Sequence, residues 1–448
     1  MTVVQSPAIW PEWPGTNEAE LAPWSDHVIA LTIIALTGGP GLFLLAQGYD
    51  LVGALLVLMP FVIICMARPF VGLCYLAALA PLDYFFGLGG GYASGSKLFA
   101  IAVAIGWFIN LVRGGTLPFL REFVVIGAFA LWAGLSVTWS LLPAVTAFRT
   151  LSVVLLASMA FMTVGLVKSF RQLRQLLLYA TIASFLLSII LLRNPQFVGA
   201  QRATLGEFSP NEIAVSLMFG LVCAFYLLLR SKSWLSKLIF VIMSGTMLLG
   251  LVTTQSRGLL LTLCATAVIA PLVTYRKEPL KALVILLLTT AALSVIAIVV
   301  AQFGMLERIT EAGLGDSGRF HVWRSAILQT EGKRLLGIGH GLFRTTTGGM
   351  VSHNLYVELL VELGVPGVLL WLLFAGMLMV RIARIHPSKE RFFAAALLCF
   401  VLFPDLIMSA NSMKTTWTGI AVLLVMVAVP RQPGSPGSDP ETLLTEPV

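Results

Sequence analysis

Long apolar stretches recur along almost the whole chain, and they restrict its fold more than any other feature. Of the 448 residues, 58% are hydrophobic and only 11% are charged, a composition too apolar for a soluble domain. A helix that crosses a bilayer needs about 20 mostly apolar residues. We predict an all-α polytopic membrane protein with about 12–14 transmembrane helices, at approximate residues 28–47, 51–67, 69–86, 97–113, 122–139, 148–168, 173–192, 211–230, 235–254, 257–274, 281–303, 365–382, 392–409 and 413–429.

These stretches divide the chain into five parts. Residues 1–27 form a polar leader without Lys or Arg, so they lack the basic start of a cleavable signal peptide. A transmembrane helical bundle spans 28–303, a long loop with short helices spans 304–364, and the last transmembrane helices span 365–430. Residues 431–448 are rich in Pro, Gly, Ser and acidic residues, a composition that predicts disorder.

The basic residues indicate how the chain is oriented in the membrane. Of the 29 Lys and Arg residues, seventeen lie after even-numbered spans: Arg68, Arg113, Arg121, Lys168, Arg171, Arg174, Arg230, Lys232, Lys237, Arg276, Lys277, Lys281, Arg381, Arg384, Lys389, Arg391 and Arg431. Cytoplasmic loops of membrane proteins carry such an excess of positive charge. The pattern predicts that both termini lie in the cytoplasm, and it explains the net charge of +8 without a nucleic-acid partner.

Cysteine and histidine residues give no indication of a metal site. The five cysteines lie inside predicted spans without a CxxC pair, and the five histidines are dispersed. Both patterns differ from the close ligand spacing of zinc sites. We therefore predict neither a metal nor another cofactor.

The other twelve basic residues lie on the translocated side of the predicted topology, against the usual bias. Six belong to the long loop and six to outer span ends: Arg308, Arg319, Arg324, Lys333, Arg334, Arg344, and Lys97, Arg149, Arg193, Arg202, Arg257, Lys414. An anionic ligand at the outer face would explain them. The alternative, strongest for Lys97, Arg149 and Lys414, is that their side chains extend to lipid headgroups.

Two of these arginines lie in tight polar connections between spans. Arg257 follows Thr-Thr-Gln-Ser with almost no loop, which favours a ligand contact over a structural ion pair. Arg202 precedes Glu207, which could pair with it, and Ser209 or Asn211 could cap the next helix. For Arg202 the functional and structural interpretations remain open.

The long loop contains a second group of polar residues. A helix is predicted from Gly318 to about Thr330, with Asp316 or Ser317 as its N-cap. Arg319 and Trp323 are four residues apart and share a face of this helix. Arg319 could therefore face an anion, or it could pack on Trp323 through a cation–π contact.

His353 is the candidate base of the loop. It precedes a short helix that we expect to break before Pro366. Neighbouring cations depress the pKa of imidazole and keep it neutral, as a general base requires. The alternative is a capping or hydrogen-bonded structural histidine. Glu358 and Glu362 share a helical face, and we interpret them as partners of backbone or arginine groups.

Four motifs in this region resemble those of the O-antigen ligase and polymerase superfamily. They are S-G-R-x-x-x-W at Ser317–Trp323, the turn at Gly337 and Gly339, H-N at His353–Asn354, and E-x-G-x-x-G at Glu362–Gly367. The segments around Arg257 and from Arg202 to Asn211 resemble further parts of the family. The first 190 residues are similar only as a bundle of helices.

The resemblance implies a GT-C-like fold and a periplasm-facing membrane glycosyltransferase that needs neither metal nor nucleotide. The donor would be a glycan on undecaprenyl diphosphate, and the acceptor a hydroxyl of a lipid A-core sugar, another lipid-linked repeat or a protein side chain. By the same resemblance, the catalytic residues would be His353 as base and Arg257 and Arg319 on the diphosphate. The candidate substrate-binding residues are Arg202, Glu207, Asn211, Trp323 and Asn354.

Several functions remain open at this stage. Ligase, polymerase and protein glycosylation share these residues, although the number of spans favours a polymerase of O-antigen or exopolysaccharide. A transporter or flippase for an anionic lipid-linked glycan would use the same arginines, and it would also need ionisable groups along its path. Asp405 is the main candidate for such a group inside a predicted span. A non-catalytic scaffold would explain the spans but not the arginines and histidine together.

Overall fold

A computed structural model of the protein describes residues 24–47, 50–82, 95–113, 117, 120–198, 202–205, 209–302, 318–385, 388–409 and 413–428. Most of the leader and the whole predicted tail lie outside these residues. The helices are α1 Trp24–Ala46, α2 Asp50–Ala67, α3 Pro69–Leu82, α4 Gly95–Val112, α5 Arg121–Leu135, α6 Pro143–Leu166, α7 Phe170–Arg193, α8 Pro210–Arg230, α9 Trp234–Thr253, α10 Arg257–Thr274, α11 Pro279–Gln302, α12 Arg319–Gln329, α13 Phe343–Thr346, α14 Leu355–Arg384, α15 Lys389–Leu402 and α16 Lys414–Ala428.

Seven of the described helical segments are long and apolar enough to cross a membrane: Arg121–Trp139, Pro143–Leu166, Phe170–Arg193, Pro210–Arg230, Trp234–Thr253, Arg257–Thr274 and Leu355–Arg384. Five further apolar helical segments of 10–17 residues are Leu58–Ala67, Pro69–Leu82, Phe99–Val112, Pro279–Thr290 and Lys414–Ala428. The sheet structure in the described ranges is a short antiparallel hairpin of β1 Gln196–Val198 and β2 Arg202–Thr204. The prediction of an all-α polytopic membrane protein is confirmed.

The core of the bundle is built around α7, α8 and α16. Helix α16 is buried continuously from Thr415 to Met426, and α8 is buried on most of its surface. Helices that are apolar on every side belong in the interior of such a bundle. Rings link α8 to α15, where Tyr226 stacks on Phe393 at 4.3 Å between ring centroids. Outer helices such as α9 expose apolar side chains, for example Ile242, that suit contact with hydrocarbon.

Helix α14 breaks where the sequence predicts it. Gly364 has φ 66° and ψ −164°, a conformation that only glycine adopts readily, and Pro366 begins the second part. The freed amide of Val365 donates to the carbonyl of Arg334 at 3.1 Å. A Cβ on Gly364 would lie 2.3 Å from the Leu335 carbonyl oxygen. The break therefore also joins α14 tightly to the segment after α12.

The two ends of the bundle carry different groups of charged residues. Helices α8, α10 and α14 begin at one end, which we call the site end because the candidate residues lie there. At the opposite end, Arg381 binds the fully buried Glu122 at 2.9 Å, and Arg230 forms an ion pair with Glu390. Partnered charges at that end fasten helices to each other, because an unpaired buried carboxylate would be costly.

Candidate functional site

Arg202 lies at the beginning of β2 and connects three segments of the site end. Its Nε donates to the Thr254 carbonyl at 3.2 Å and its Nη2 donates to Asn211 Oδ1 at 2.6 Å. Asn211 also accepts a hydrogen bond from Ser256 Oγ at 3.0 Å. The expected partner of Arg202, Glu207, lies outside the described residues. The network ties the hairpin to the α9–α10 turn and fixes one arginine close to Arg257.

The N-terminus of α8 distinguishes between the two predicted caps. Ser209 accepts from the Glu212 amide at 3.2 Å, and the Glu212 carboxylate accepts from the Ser209 amide at 2.9 Å. This reciprocal pair is a capping box, with Pro210 in the first turn of the helix. Ser209 is therefore the cap, and the side chain of Asn211 is used for Arg202 and Ser256.

Arg257 is the first residue of α10, directly after a strained turn. Gln255, two positions earlier, is mostly buried and has φ 49°. A left-handed conformation in a residue other than glycine costs of order 1–3 kcal/mol. Gly258 allows the connection after α15 to approach, because a Cβ there would lie 2.2 Å from Ile407 Cγ2. The start of α10 is thus held from two sides.

Helix α12 presents Arg319 and Trp323 as predicted, but its cap differs from the prediction. Gly318 occupies the N-cap with φ 76°, whereas Asp316 and Ser317 lie outside the described residues. Trp323 Nε1 donates to the Ser352 carbonyl at 2.5 Å. The indole thereby joins α12 to the residue immediately before His353.

His353 lies among arginines from three segments of the chain. Burial lowers its pKa below the ordinary value of 6.5, and the charges of Arg319, Arg202 and Arg344 lower it further. Burial also lowers the pKa of Arg319, and the charge of Arg257 lowers it further. Arginine nevertheless stays protonated in proteins. The group is a neutral imidazole surrounded by crowded guanidinium ions, whose mutual repulsion a bound anion would relieve.

The backbone of His353 is itself strained. Within the described ranges, His353 at φ 50° and Gln255 are the non-glycine residues with positive φ. Gln255 lies two residues before Arg257, and His353 lies among Arg202, Arg319 and Arg344, so both strained residues are next to arginines of the site. Strained backbone of this kind concentrates at functional sites and persists only where the surroundings enforce it.

Asn354, which we expected to bind substrate, makes structural contacts. Its Oδ1 accepts from the Val357 amide at 3.0 Å, which makes it the N-cap of α14. Its Nδ2 donates to the Leu406 carbonyl at 3.2 Å. Asn354 therefore sets the direction of α14 and binds it to the connection between α15 and α16.

The glycine turn after α12 is a packing device. Gly337, Gly339 and Gly341 all have positive φ, and a Cβ on Gly337 would lie 2.2 Å from the Glu362 carbonyl oxygen. The buried Glu362 carboxylate accepts from the amides of Gly341 at 2.7 Å and Phe343 at 2.8 Å. The prediction that Glu362 serves backbone groups is confirmed, and the turn is held against α14.

The same prediction is wrong for Glu358. Its carboxylate accepts hydrogen bonds from the hydroxyl groups of Ser352 and Ser409, which are neither backbone nor arginine groups.

Asp405 lies elsewhere than predicted. The span expected at 392–409 ends at Leu402, shortly before Pro404, which lacks the amide for a further helical hydrogen bond. Asp405 falls in a 3₁₀ turn, Pro404–Leu406. The next residue, Leu406, contacts Asn354 at the site end. Asp405 is fully buried there and does not lie midway through a span.

The structure brings together residues from distant parts of the sequence. Arg202, Arg319 and Arg344 act electrostatically on His353, and Arg257 acts on Arg319. Sequence reasoning did not single out Arg344 from the other loop cations. It also missed Ser352, because a short polar residue beside a motif carries no signal of its own, and Ser409, because it lies inside a predicted span. Among the described residues, no group of three His, Cys, Asp or Glu side chains is arranged to hold a metal ion.

The fold and site define a polytopic helical membrane protein with a cationic, histidine-containing site at one end of its bundle. A family model described as O-antigen ligase matches residues 239–372, which include α10, α12 and the His353 segment. This match confirms the resemblance to the O-antigen ligase and polymerase superfamily. It supports an enzyme of the glycosyltransferase or ligase type that acts on lipid-linked glycan and acceptor substrates. No curated protein matches the chain.

Proposed function

We propose that this protein transfers a glycan from undecaprenyl diphosphate to an acceptor hydroxyl during surface polysaccharide assembly. The reaction would take place at the periplasmic face of the inner membrane and would need no metal. The observation that carries this proposal is the strained backbone of His353 together with a pKa that burial and the charges of Arg319, Arg202 and Arg344 lower. A base among fixed cations suits the attack of a hydroxyl on a sugar whose leaving group is a diphosphate.

The proposed step is a single displacement at the anomeric carbon of the donor sugar. The acceptor oxygen forms a bond to that carbon while its proton passes to His353. The bond between the anomeric carbon and the phosphate oxygen breaks, and the diphosphate leaves with the electron pair. Arg257 and Arg319 stabilise the charge that develops on the leaving group, since guanidinium groups suit phosphate oxygens in geometry and charge.

The surrounding residues have distinct proposed roles. Arg202 is a further phosphate contact, oriented by Asn211 and Thr254. Trp323 and Asn354 shape the site by holding the His353 segment from both sides. Glu207, in the connection between β2 and α8, remains a candidate substrate contact. The acceptor is an O-antigen or exopolysaccharide repeat for a polymerase, or a lipid A-core sugar for a ligase.

Deletion of the gene, followed by complementation with point variants, tests the proposal in cells. Surface glycans are separated by size, and protein levels are measured in the membrane fraction. We expect His353→Ala and Arg257→Ala to behave like the deletion, whereas Lys277→Gln at the opposite end restores the polymer. Single repeats on lipid A identify a polymerase, and long lipid-linked chains with a bare core identify a ligase.

Full polymer from well-expressed His353→Ala would refute the base assignment. Wild-type polymer in both Arg257→Ala and Arg319→Ala would refute the diphosphate site. Movement of lipid-linked glycan between leaflets by purified protein, without a new glycosidic bond, would identify a flippase instead.

A further inference from the structure

A cluster of three polar side chains lies directly beside His353, and the proposed reaction does not use it. Ser352 Oγ donates to Glu358 Oε2 at 2.6 Å, and Ser409 donates to the same oxygen. The two hydroxyl oxygens are 2.8 Å apart. Ser352 is only 1% exposed, so these bonds are largely shielded from water. The cluster joins the His353 segment, α14 and the connection after α15.

The connection after α15 contacts the start of α10 as well as the His353 segment. Its Leu406 carbonyl accepts from Asn354, the residue after His353. Its Ile407 packs on Gly258, the residue after Arg257. Its Ser409 binds Glu358. One short segment, Pro404–Ser409, therefore links the first turn of α10 with both neighbours of the histidine.

His353 needs such support because its backbone is strained. Its φ of 50° is a left-handed conformation that residues other than glycine rarely adopt, so the flanking contacts must hold it in place. Ser352 is held at its carbonyl by Trp323 and at its hydroxyl by Glu358. Asn354 is held by its cap and by Leu406. Of these anchors, Glu358 is the one that binds Ser352 and Ser409 at the same time.

We propose that Glu358 is a positioning residue for His353, and that it acts by clamping Ser352 to Ser409. This inference rests on the proposed function for its effect on catalysis, but the clamp itself does not depend on that function. A displacement of about 1 Å in a catalytic group can reduce a rate by about 100-fold. Loss of the clamp should therefore affect kcat more than KM, because the arginines that bind the donor remain in place.

Two substitutions of Glu358 distinguish the effect of its hydrogen bonds from the effect of its charge. Gln retains an oxygen that accepts from both serines, whereas Ala removes the acceptor. For glycan transfer by the purified full-length protein, we expect Glu358→Ala to lower kcat by about 10- to 100-fold with KM within about twofold. Glu358→Gln should retain most of the activity, and Ser409→Ala should be intermediate. Glu278→Gln, an exposed ion-pair residue at the opposite end, is the matched control.

A chemical readout tests the clamp without any catalysis. Diethyl pyrocarbonate modifies accessible neutral histidines, and peptide mass spectrometry gives the rate for each one. Exposed His321 on α12 serves as the internal reference. We expect Glu358→Ala to raise the modification rate of His353 by about threefold or more relative to His321, because local opening exposes a held segment.

The outcomes distinguish the two proposals. An unchanged His353 modification rate and unchanged kcat in folded Glu358→Ala would overturn the positioning role. If that variant does not fold, Ser409→Ala decides, because it removes a single hydroxyl. A changed modification rate together with full transfer by His353→Ala would retain the clamp and refute the base. A Glu358→Gln variant as inactive as Glu358→Ala, with an unchanged modification rate, would also contradict the clamp.

Discussion

At the scale of single residues, the site depends on the burial of His353 and on arginine charges that disfavour its protonation. Burial lowers the pKa of His353 first, and Arg319, Arg202 and Arg344 lower it further. A base must be neutral to accept a proton, so activity falls as the pH decreases through this lowered pKa. A bound diphosphate would offset the arginine charges and raise the pKa. The acid limb of kcat should therefore lie at higher pH than that of kcat/KM.

Arg344→Gln tests this electrostatic account. Removing one of the positive charges that lower the pKa of His353 raises that pKa, so the acid limb of kcat/KM should move to higher pH. The measurement is a pH profile of transfer by purified protein. Arg324→Gln is the control, because Arg324 is exposed, like Arg344, but is not among the charges that lower the pKa of His353. A shift to lower pH, or equal shifts in both variants, would contradict the account.

At the scale of elements, backbone devices at the site end hold the helices in place. The break in α14, the glycine turn after α12 and the capping box of α8 each satisfy amides that a helix end leaves free. These devices follow from Gly, Pro and Ser at defined positions. The sequence predicted the break in α14, and it offered two alternative caps for α8, of which Ser209 is the one observed. It did not predict Gly318 as the cap of α12, since residues with capping side chains precede it.

Gly364→Ala should destabilise the protein by more than about 2 kcal/mol. Alanine there would need a conformation that only glycine adopts readily, and its Cβ would lie 2.3 Å from the Leu335 carbonyl oxygen. Thermal unfolding in detergent measures the effect. Gly376→Ala in the same helix is the control, because a Cβ there has no neighbour within 4 Å. Equal melting temperatures for the two variants would refute the argument.

At the scale of the whole molecule, sequence reasoning recovered the bundle and grouped Arg202 and Arg257 with the loop that carries His353, but it did not predict the contacts that hold the site together. Apolar length predicts helices because the bilayer requires their backbone groups to be satisfied internally. The contacts of Arg202 with Thr254, and of Asn354 with Leu406, join residues about 50 positions apart. Such contacts depend on helix packing, which a single sequence does not specify. For this reason the sequence did not predict the contacts of Leu406 and Ser409, which lie inside a predicted span.

The most direct test of the account uses the purified protein in lipid nanodiscs with an undecaprenyl-diphosphate-linked glycan and its acceptor. Mass spectrometry follows the new glycosidic bond and the released undecaprenyl diphosphate, with a chelator present to remove metal ions. We predict that the wild-type protein forms both products in equal amounts. His353→Ala, and Arg257→Ala with Arg319→Ala, should form neither while remaining folded. Bond formation by His353→Ala at the wild-type rate would contradict the central claim.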